Sequence, residues 1–369
     1  MDENKTKDPQ RPQVHQHHHH HRRRKVYVWR WIGGLFVVIL LILGAGAYHV
    51  YSTLHSTADH TFIPLSHQKQ SDSALSKNKP ISILLMGTDT GALGRTETNG
   101  RSDTMIMATL NPVKKTTTMI SIPRDTMAKM RSTEGTDGTN IQKINAAYSI
   151  GGANMAVNTT SALLGVPVNY YAVINMGGLE RIVNALGGVT VTPTLSFKNM
   201  GYSFTKNRAT HMNGKHALAY IRMRYDDPNG DYGRQNRERQ VITAIIKAAP
   251  SLKNVTKFEQ LMSQVQSNFR TNLSFDDMVT LYRKYKDAGQ NIKQSHLQGV
   301  GTNLNGSSYQ IASTKELQRV SNLINQGLDL PTKKLNNEET QQNALNPKFE
   351  WNAGNSKVNY TVHGADEVN

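Results

Sequence analysis

The chain contains no cysteine. That excludes a disulfide scaffold, a thiolate nucleophile and any zinc site built on cysteine, and it suits an exported protein of an organism that does not rely on disulfides. Acidic residues are also in short supply: 27 Asp and Glu face 43 Lys and Arg, for a formal net charge of +16. Residues 1–31 hold eight Lys/Arg and three acids, so +11 of that charge belongs to residues 32–369. Such a balance suits nucleic acid, and equally an anionic envelope polymer or lipid head group. Lysine is itself missing from one basic stretch. Residues 220–242, "YIRMRYDDPNGDYGRQNRERQVI", hold five arginines and no lysine. A guanidinium is a flat fork that grips carboxylate or phosphate oxygens two at a time, whereas an ammonium is a point charge. The competing reading is a solvated charged face, because Asp226, Asp227, Asp231 and Glu238 nearly balance the arginines.

Long hydrophobic runs are equally scarce. "WIGGLFVVILLILGAGAY" is the strong one, with Ile32–Tyr48 free of charge. At helical rise this charge-free run spans roughly 25 Å, the short end for a bilayer. Tyr27, Trp29 and Trp31 on one side and Tyr48 and Tyr51 on the other supply aromatic belts. Arg22, Arg23, Arg24 and Lys25 precede the span, which leaves residues 1–30 in the cytoplasm, 31–51 as a single transmembrane helix and the rest outside. The alternative is a cleaved signal peptide with core Ile32–Leu43 and "AGA" at 45–47. Either way the main body lies outside the cytoplasm, which removes nucleic acid as a partner. His15 and His17–His21 read as part of a solvated cytoplasmic tail, with metal binding the lesser alternative.

Beyond the span, residues 52–79 are polar and read as an extracellular stalk, and residues 80–329 as one catalytic domain. "ISILLMG" (81–87) is a strand, and "TMIMATLNP" and "TTTMISIP" form a hairpin across the turn Asn111–Lys115. "ANMAVNTTSALLG" and "GGLERIVNALGG" are helices closed by glycine, "YYAVINM" and "VTVTP" are short strands, and further helices fall near 255–268, 274–287 and 314–328. This alternation predicts an α/β, mixed α+β class: a three-layer α-β-α domain with a central sheet flanked by helices. The Asn/Gln/Thr/Lys-rich residues 330–369 read as a disordered tail.

Helical phase bears on the arginine stretch. From Gly233 it reads as a helix with apolar side Val241, Ile242, Ile245 and Ile246. Arg234 and Glu238 continue that inward stripe, Arg237 sits on its flank, and Arg239 and Gln240 point away. An inward arginine needs an anion or a carboxylate. A helix start after "NGDYG" offers backbone N–H groups to the same anion. Three further places put charge at strand ends: Asp89 after "LLMGT", Arg101 and Asp103 before "TMIMATL", and Arg124 and Asp125 after "MISIP". Each alone is a common turn former. Together they offer two carboxylates for Mg2+ and two arginines for phosphate, the parts phosphoryl transfer needs.

"GTDTGALGRTETNGRSDTM", "ISIPRDT", "KINAAYSIGGANMAVNT", "NYYAVINMGGLERIVNALGGV" and "YIRMRYDDPNGDYGRQNRERQ", in that order after one membrane span, resemble the LytR-CpsA-Psr family of Gram-positive cell-wall assembly enzymes. The resemblance is strong over about residues 80–250 and looser over 250–330. It implies a membrane-anchored phosphotransferase that moves a glycopolymer (teichoic acid, capsule or a rhamnose-type polysaccharide) from a polyprenyl pyrophosphate carrier to peptidoglycan through a phosphodiester. By the same resemblance Asp89 and Asp103 hold Mg2+, with Mn2+ the alternative, and Arg101, Arg124, Arg222, Arg224 and Arg234 bind pyrophosphate, with Arg237 beside them. Asp231 orients those arginines, and the lipid lies in an apolar tunnel drawing on segments such as 152–187. The general base stays open between Asp103 and Asp125. One departure stands out: the family usually carries Gln where this chain has Glu238, a residue able to pair with Arg234 and alter its grip on phosphate. The rival readings are a non-catalytic envelope-polymer or lipid-pyrophosphate binding or regulatory protein, and a hydrolase of the same pyrophosphate.

Overall fold

The computed structural model describes residues 62–65, 74–75, 77–90, 100–132, 140–224, 226–249, 261–352 and 354–364. The chain divides between Thr53 and Leu54, and everything described belongs to the second unit. The cytoplasmic tail, the transmembrane helix and most of the stalk expected from the sequence fall outside the described residues; no helix among those residues is long and apolar enough to cross a membrane.

Alternating side-chain direction explains the layers. A mixed sheet is built from β1 (Ile81–Thr88), β2 (Ser102–Asn111), β3 (Thr116–Ser121), β4 (Tyr170–Asn175), β5 (Phe269–Thr271) and β6 (Asn291–His296). Its order is β5-β4-β1-β2-β3-β6. β1 runs parallel to β4 and β3 to β6, while β1–β2, β2–β3 and β4–β5 are antiparallel. Leu84, Met86, Met105, Met107, Ile120, Tyr171 and Val173 make one face of the core, packed against α1 (Ala146–Leu164) and α6 (Thr314–Gly327). The alternate residues Ile106, Ala108 and Met119 turn the other way, onto Ile242 and Ile246 of α4 (Gly230–Ala248). Ile81, Ile83 and Tyr170 meet α5 (Phe275–Tyr285) on that same side. With both faces covered, the strands read as near-continuous apolar runs. Between β4 and α4 come α2 (Met176–Ala185) and α3 (Gly214–Arg222).

The strand expected in "VTVTP" forms at Val189–Val191, but it pairs with Thr210–Met212 outside the main sheet. The helix expected near 255–268 is described only from Leu261 onward. The C-terminal segment corrects a sequence expectation. Far from a disordered tail, it forms α7 (Glu338–Ala344) and buries Phe349 and Tyr360 to 4% and 3% exposure beside Met127, Tyr309 and Ile311. Its amides do what a disordered Asn/Gln tract leaves to water. Asn337 Nδ2 donates to the carbonyls of Ala162 and Leu163 at the end of α1. Gln342 and Asn346 each exchange two hydrogen bonds with backbone, at His363 and Thr361 respectively.

Candidate functional site

Where β1 and β2 part, their ladder slips. Gly87 opposes Thr104 and Thr88 opposes Ser102, so Asp103 is the extra residue of a bulge. Bulges re-aim a side chain at the end of a pairing. Here the bulge and the end of β1 bring Asp103 and Asp89 to the wall of one cavity of about 610 Å³, a volume in the range typical of ligand pockets.

The cavity has two chemically distinct parts. Asp89, Asp103, Arg222, Arg224, Arg234 and Glu238 supply charge. Leu85, Ile174, Leu179, Ile182, Leu218, Ile221, Val241, Ile242, Ile245 and Phe269 supply apolar wall. The helix α4 carries both in one ladder: Arg234 and Glu238 are succeeded on the same face by Val241, Ile242 and Ile245. The helix begins at Gly230, three residues before the expected start, with that glycine at φ 53°. Its first turn does not line the cavity.

The arginines divide by how they are held. Arg222 Nη1 donates to Asp89 Oδ1 at 2.8 Å. Arg124 Nη1 donates to Asp103 Oδ2 at 3.0 Å, and Arg224 Nη2 lies 3.6 Å from the same oxygen with its side chain 45% exposed. Burial, with Arg124, Arg234 and Arg222 nearby, lowers the Arg224 pKa against the pull of Asp103. Arg234, 5% exposed, is a different kind of residue. Its Nε and Nη2 both donate to Asp231 Oδ1, Nη1 donates to Glu238 Oε1 at 2.6 Å, and Nη2 also reaches the Asp103 carbonyl at 3.2 Å. Burial works against its charge, but Glu238 and Asp231 outweigh it and raise its pKa. Burial also pushes Asp231 up, and Arg234 more than reverses that, leaving its carboxyl low. For Glu238 burial wins over Arg234 and the carboxyl is raised.

Other sequence-predicted residues are placed elsewhere. Arg237, 2% exposed, does not line the cavity. It is turned onto Asp227 and the Met223 carbonyl, with its guanidinium 5.5 Å from the Phe197 ring centroid. Gly233 makes that pair possible, since a Cβ there would meet the Asp227 carboxylate at 2.0 Å. Arg239 does not point away: it is buried, with Nη1 donating to Ser121 Oγ at 2.5 Å on β3. The reason is that α4 is covered on more than one side, by the sheet and by α3. Arg101 is exposed and off the cavity wall. Asp125 also stands outside it, 3.5 Å from Arg124 Nε and 3.2 Å from Lys143 Nζ. Of the segment 152–187, only Ala172–Ile182 contributes to the cavity; α1 lies on the opposite face of the sheet.

Three contacts were not singled out from the sequence. Asn145 Nδ2 donates to Asp103 Oδ1 at 3.4 Å, Lys143 flanks Asp125, and Thr104 Oγ1 donates to Glu238 Oε1 at 2.7 Å. The first two lie in "KINAAYSIGG", a stretch whose motif character was visible though its roles were not. Among the described residues no cluster of three or more His, Cys, Asp or Glu side chains could hold a metal ion by itself. Asp89 and Asp103 remain, and two carboxylates suit Mg2+ when a phosphate ligand completes its coordination.

Comparison with known proteins places the chain in a family. The LytR_cpsA_psr family model matches residues 48–326. The polyisoprenyl-teichoic acid–peptidoglycan teichoic acid transferase TagU of Enterococcus faecalis is 42% identical over 288 residues, covering 78% of this chain and 92% of the relative. TagU of Bacillus subtilis is 41% identical over 300 residues, covering 80% and 94%. The crystal structure of protein gbs0355 from Streptococcus agalactiae superposes with a TM-score of 0.65 at 39% identity, over 72% of this chain and 93% of that one. The chain belongs to the LytR-CpsA-Psr family.

Proposed function

We propose that this protein is an extracytoplasmic phosphotransferase, anchored by residues 31–51, that moves a teichoic-acid-type glycopolymer from a polyprenyl pyrophosphate carrier to peptidoglycan. The single observation that carries this reading is the two-part cavity, charged at one end and apolar along the other. Its natural occupant is an amphiphile with an anionic head and a hydrocarbon chain. Each CH2 taken from water is worth about 0.8 kcal/mol, so the apolar wall contributes substrate affinity in proportion to chain length.

In this reading Arg222 and Arg224 grip the pyrophosphate, Asp89 and Asp103 hold their guanidinium forks in orientation, and Arg124, bound to Asp103 from off the cavity wall, buttresses that carboxylate. Such prepositioned donors stabilise charge as it shifts between phosphate oxygens. Arg234 is the strut that ties α4 to the bulge of β2. A peptidoglycan sugar hydroxyl attacks the sugar-linked phosphorus, the bond to the bridging oxygen breaks, and polyprenyl phosphate leaves. Asp103 is better placed than Asp125 to receive the hydroxyl proton, because it lines the cavity. Mg2+, with Mn2+ as substitute, held by Asp89 and Asp103 would neutralise charge on the pyrophosphate.

The test is transfer in vitro from a polyprenyl pyrophosphate glycan to peptidoglycan oligomers, with and without Mg2+, for the unaltered protein, Asp103→Ala and Arg224→Lys. The reading expects metal-dependent phosphodiester product that both substitutions abolish. Tight donor binding with no product in any metal would support a binding protein instead.

A further inference from the structure

Charge beyond the expected span is unevenly placed. Residues 181–225 hold seven Lys and Arg and no Asp or Glu, so +7 of the +11 carried by residues 32–369 falls in this one stretch, between Glu180 and Asp226. The stretch is packed on its own account: Val189, Val191, Phe197, Phe204, Met212 and Tyr220 share one core. Lys198, Lys206, Arg208 and Lys215 are exposed on it, and none of the four makes an ion pair among the described residues. Fixed positive charge with no acid to offset it attracts an extended anion, either a lipid surface or a polymer.

The cavity opens beside this surface. Of the residues that line it, Met200 and Arg224 alone are exposed, and they mark its mouth. Met200 belongs to the tip of a hairpin, Phe197–Asn199 against Tyr202–Phe204. The hairpin is fixed to α3: the Phe204 ring centroid lies 4.6 Å from that of Phe197 and 5.1 Å from that of Tyr220, and Asn199 Nδ2 donates to the Ala219 carbonyl at 2.7 Å. Its two-residue turn has φ 47° at Met200 and 79° at Gly201, a pattern that favours Asn-Gly. Methionine in the first of these places accepts a left-handed backbone and holds a long apolar side chain in water, 45% exposed. A local preference broken in this way marks a position kept for something other than the fold. A flexible thioether chain offers a polyanion nothing, whereas it adapts readily to acyl chains.

The path of the chain favours the lipid. Phe62 bridges Thr271 of β5, the strand whose Phe269 lines the cavity, and the Ile63 N–H donates to the Thr271 carbonyl. Phe62 stands eleven residues after Tyr51, the end of the expected span, a chain reach of at most about 40 Å. In the proposed function, on which this rests, the donor's hydrocarbon leaves a bilayer for the cavity. We propose that the basic unit 181–224 docks on the anionic phospholipid surface of that bilayer. Lys198, Lys206, Arg208 and Lys215 meet the head groups, and Met200 enters the acyl boundary. The mouth of the cavity then opens onto the leaflet that holds the donor.

The experiment uses the full chain in bilayer discs of phosphatidylcholine, with and without phosphatidylglycerol. Because the protein has no cysteine, Ser203→Cys beside the hairpin tip and Val113→Cys on the turn between β2 and β3 each take one fluorophore. Both positions are exposed, and Val113, beside Lys114 and Lys115 at the far end of β2, is the rival contact. Quenching by lipid-borne doxyl groups reads contact with the bilayer, and transfer from a polyprenyl pyrophosphate glycan embedded in the discs is measured on the same samples. The label at 203 is expected to be quenched in phosphatidylglycerol discs and much less in phosphatidylcholine alone, and the label at 113 in neither. Lys198→Gln, Lys206→Gln and Arg208→Gln should each lower the docked-to-free ratio by about fivefold, and Met200→Ser should lower it further. The comparison of lipids on one labelled protein stands even if a variant fails to fold. The proposal is overturned if the label at 203 is quenched no more than that at 113, if phosphatidylglycerol makes no difference, or if the charge variants dock as well as the unaltered protein. It is overturned in favour of a polymer-binding surface if soluble poly(glycerol phosphate) shields the label at 203 from aqueous iodide while lipid-borne doxyl leaves it bright. Transfer without docking overturns this proposal alone, and docking without transfer by the unaltered protein overturns the transferase reading alone.

Discussion

Arg234 and Arg224 should separate stability from chemistry. Arg234 is 5% exposed and supplies hydrogen bonds to Asp231, Glu238 and the Asp103 carbonyl. Arg234→Met leaves Asp231 with the Gln235 amide and Glu238 with the Thr104 hydroxyl as their remaining side-chain hydrogen-bond donors. Removing one partner of a buried ion pair typically costs about 3–5 kcal/mol. Arg224 has its side chain 45% exposed and lies 3.6 Å from Asp103, so Arg224→Met should cost no more than about 1 kcal/mol. Urea unfolding, compared at equal slope, reads both. Adding Glu238→Gln to Arg234→Met should restore roughly 1–2 kcal/mol, because one of the stranded carboxyls is then gone. Transfer should fail in Arg224→Met although the protein is folded. Equal stability losses for the two arginines, or a double variant worse than the sum of its parts, would refute the assignment of Arg234 as strut and Arg224 as grip.

The remaining expectations concern the tail, the acid limb and the cavity. Phe349→Ala should lower stability by about 3–5 kcal/mol, as for other buried aromatics, and a chain ending before Asn337 should melt earlier; an unchanged melting curve would refute the packing of the C-terminal segment onto Met127 and Tyr309. Asp231 is held low because Arg234 outweighs its burial. Its contribution is therefore present above the ordinary carboxylate pKa, near about 3.9, and lost as pH falls through its lower folded value. Asp231→Asn should flatten that acid limb of the stability curve, and a limb of undiminished steepness would speak against the pair. Ile245→Trp, which places a large ring in the apolar wall, should weaken binding of long-chain donors more than of short-chain ones, and an equal loss for both would place the lipid elsewhere.

Much of the fold and site is legible in the residues. Apolar runs at 81–87, 104–112 and 116–123 form the central strands, because strands covered on both faces need side chains that are apolar on both. The phase that puts Arg234 and Glu238 on one face with Val241 needs only the helical period. What the period cannot see is how many sides of a helix are covered. It assigns Arg239 to solvent, yet that residue is buried on Ser121, while Arg237 finds Asp227 in the preceding loop. Chain order also does not say which face of a sheet a helix takes, so α1 reads as part of a tunnel that lies across the sheet from it. Composition misleads in the tail. Asn337, Gln342 and Asn346 look solvated in sequence, yet each amide pairs with backbone.

In the proposed transfer the pyrophosphate is cut on the polymer side of the bridging oxygen. The most direct measurement is the stoichiometry of released lipid, with donor labelled in the polyprenyl chain and peptidoglycan oligomers as acceptor. One polyprenyl monophosphate is expected for each glycopolymer joined, with release dependent on acceptor. Release of the same lipid at the same rate without acceptor, polymer appearing as free glycan phosphate, would contradict it in favour of hydrolysis.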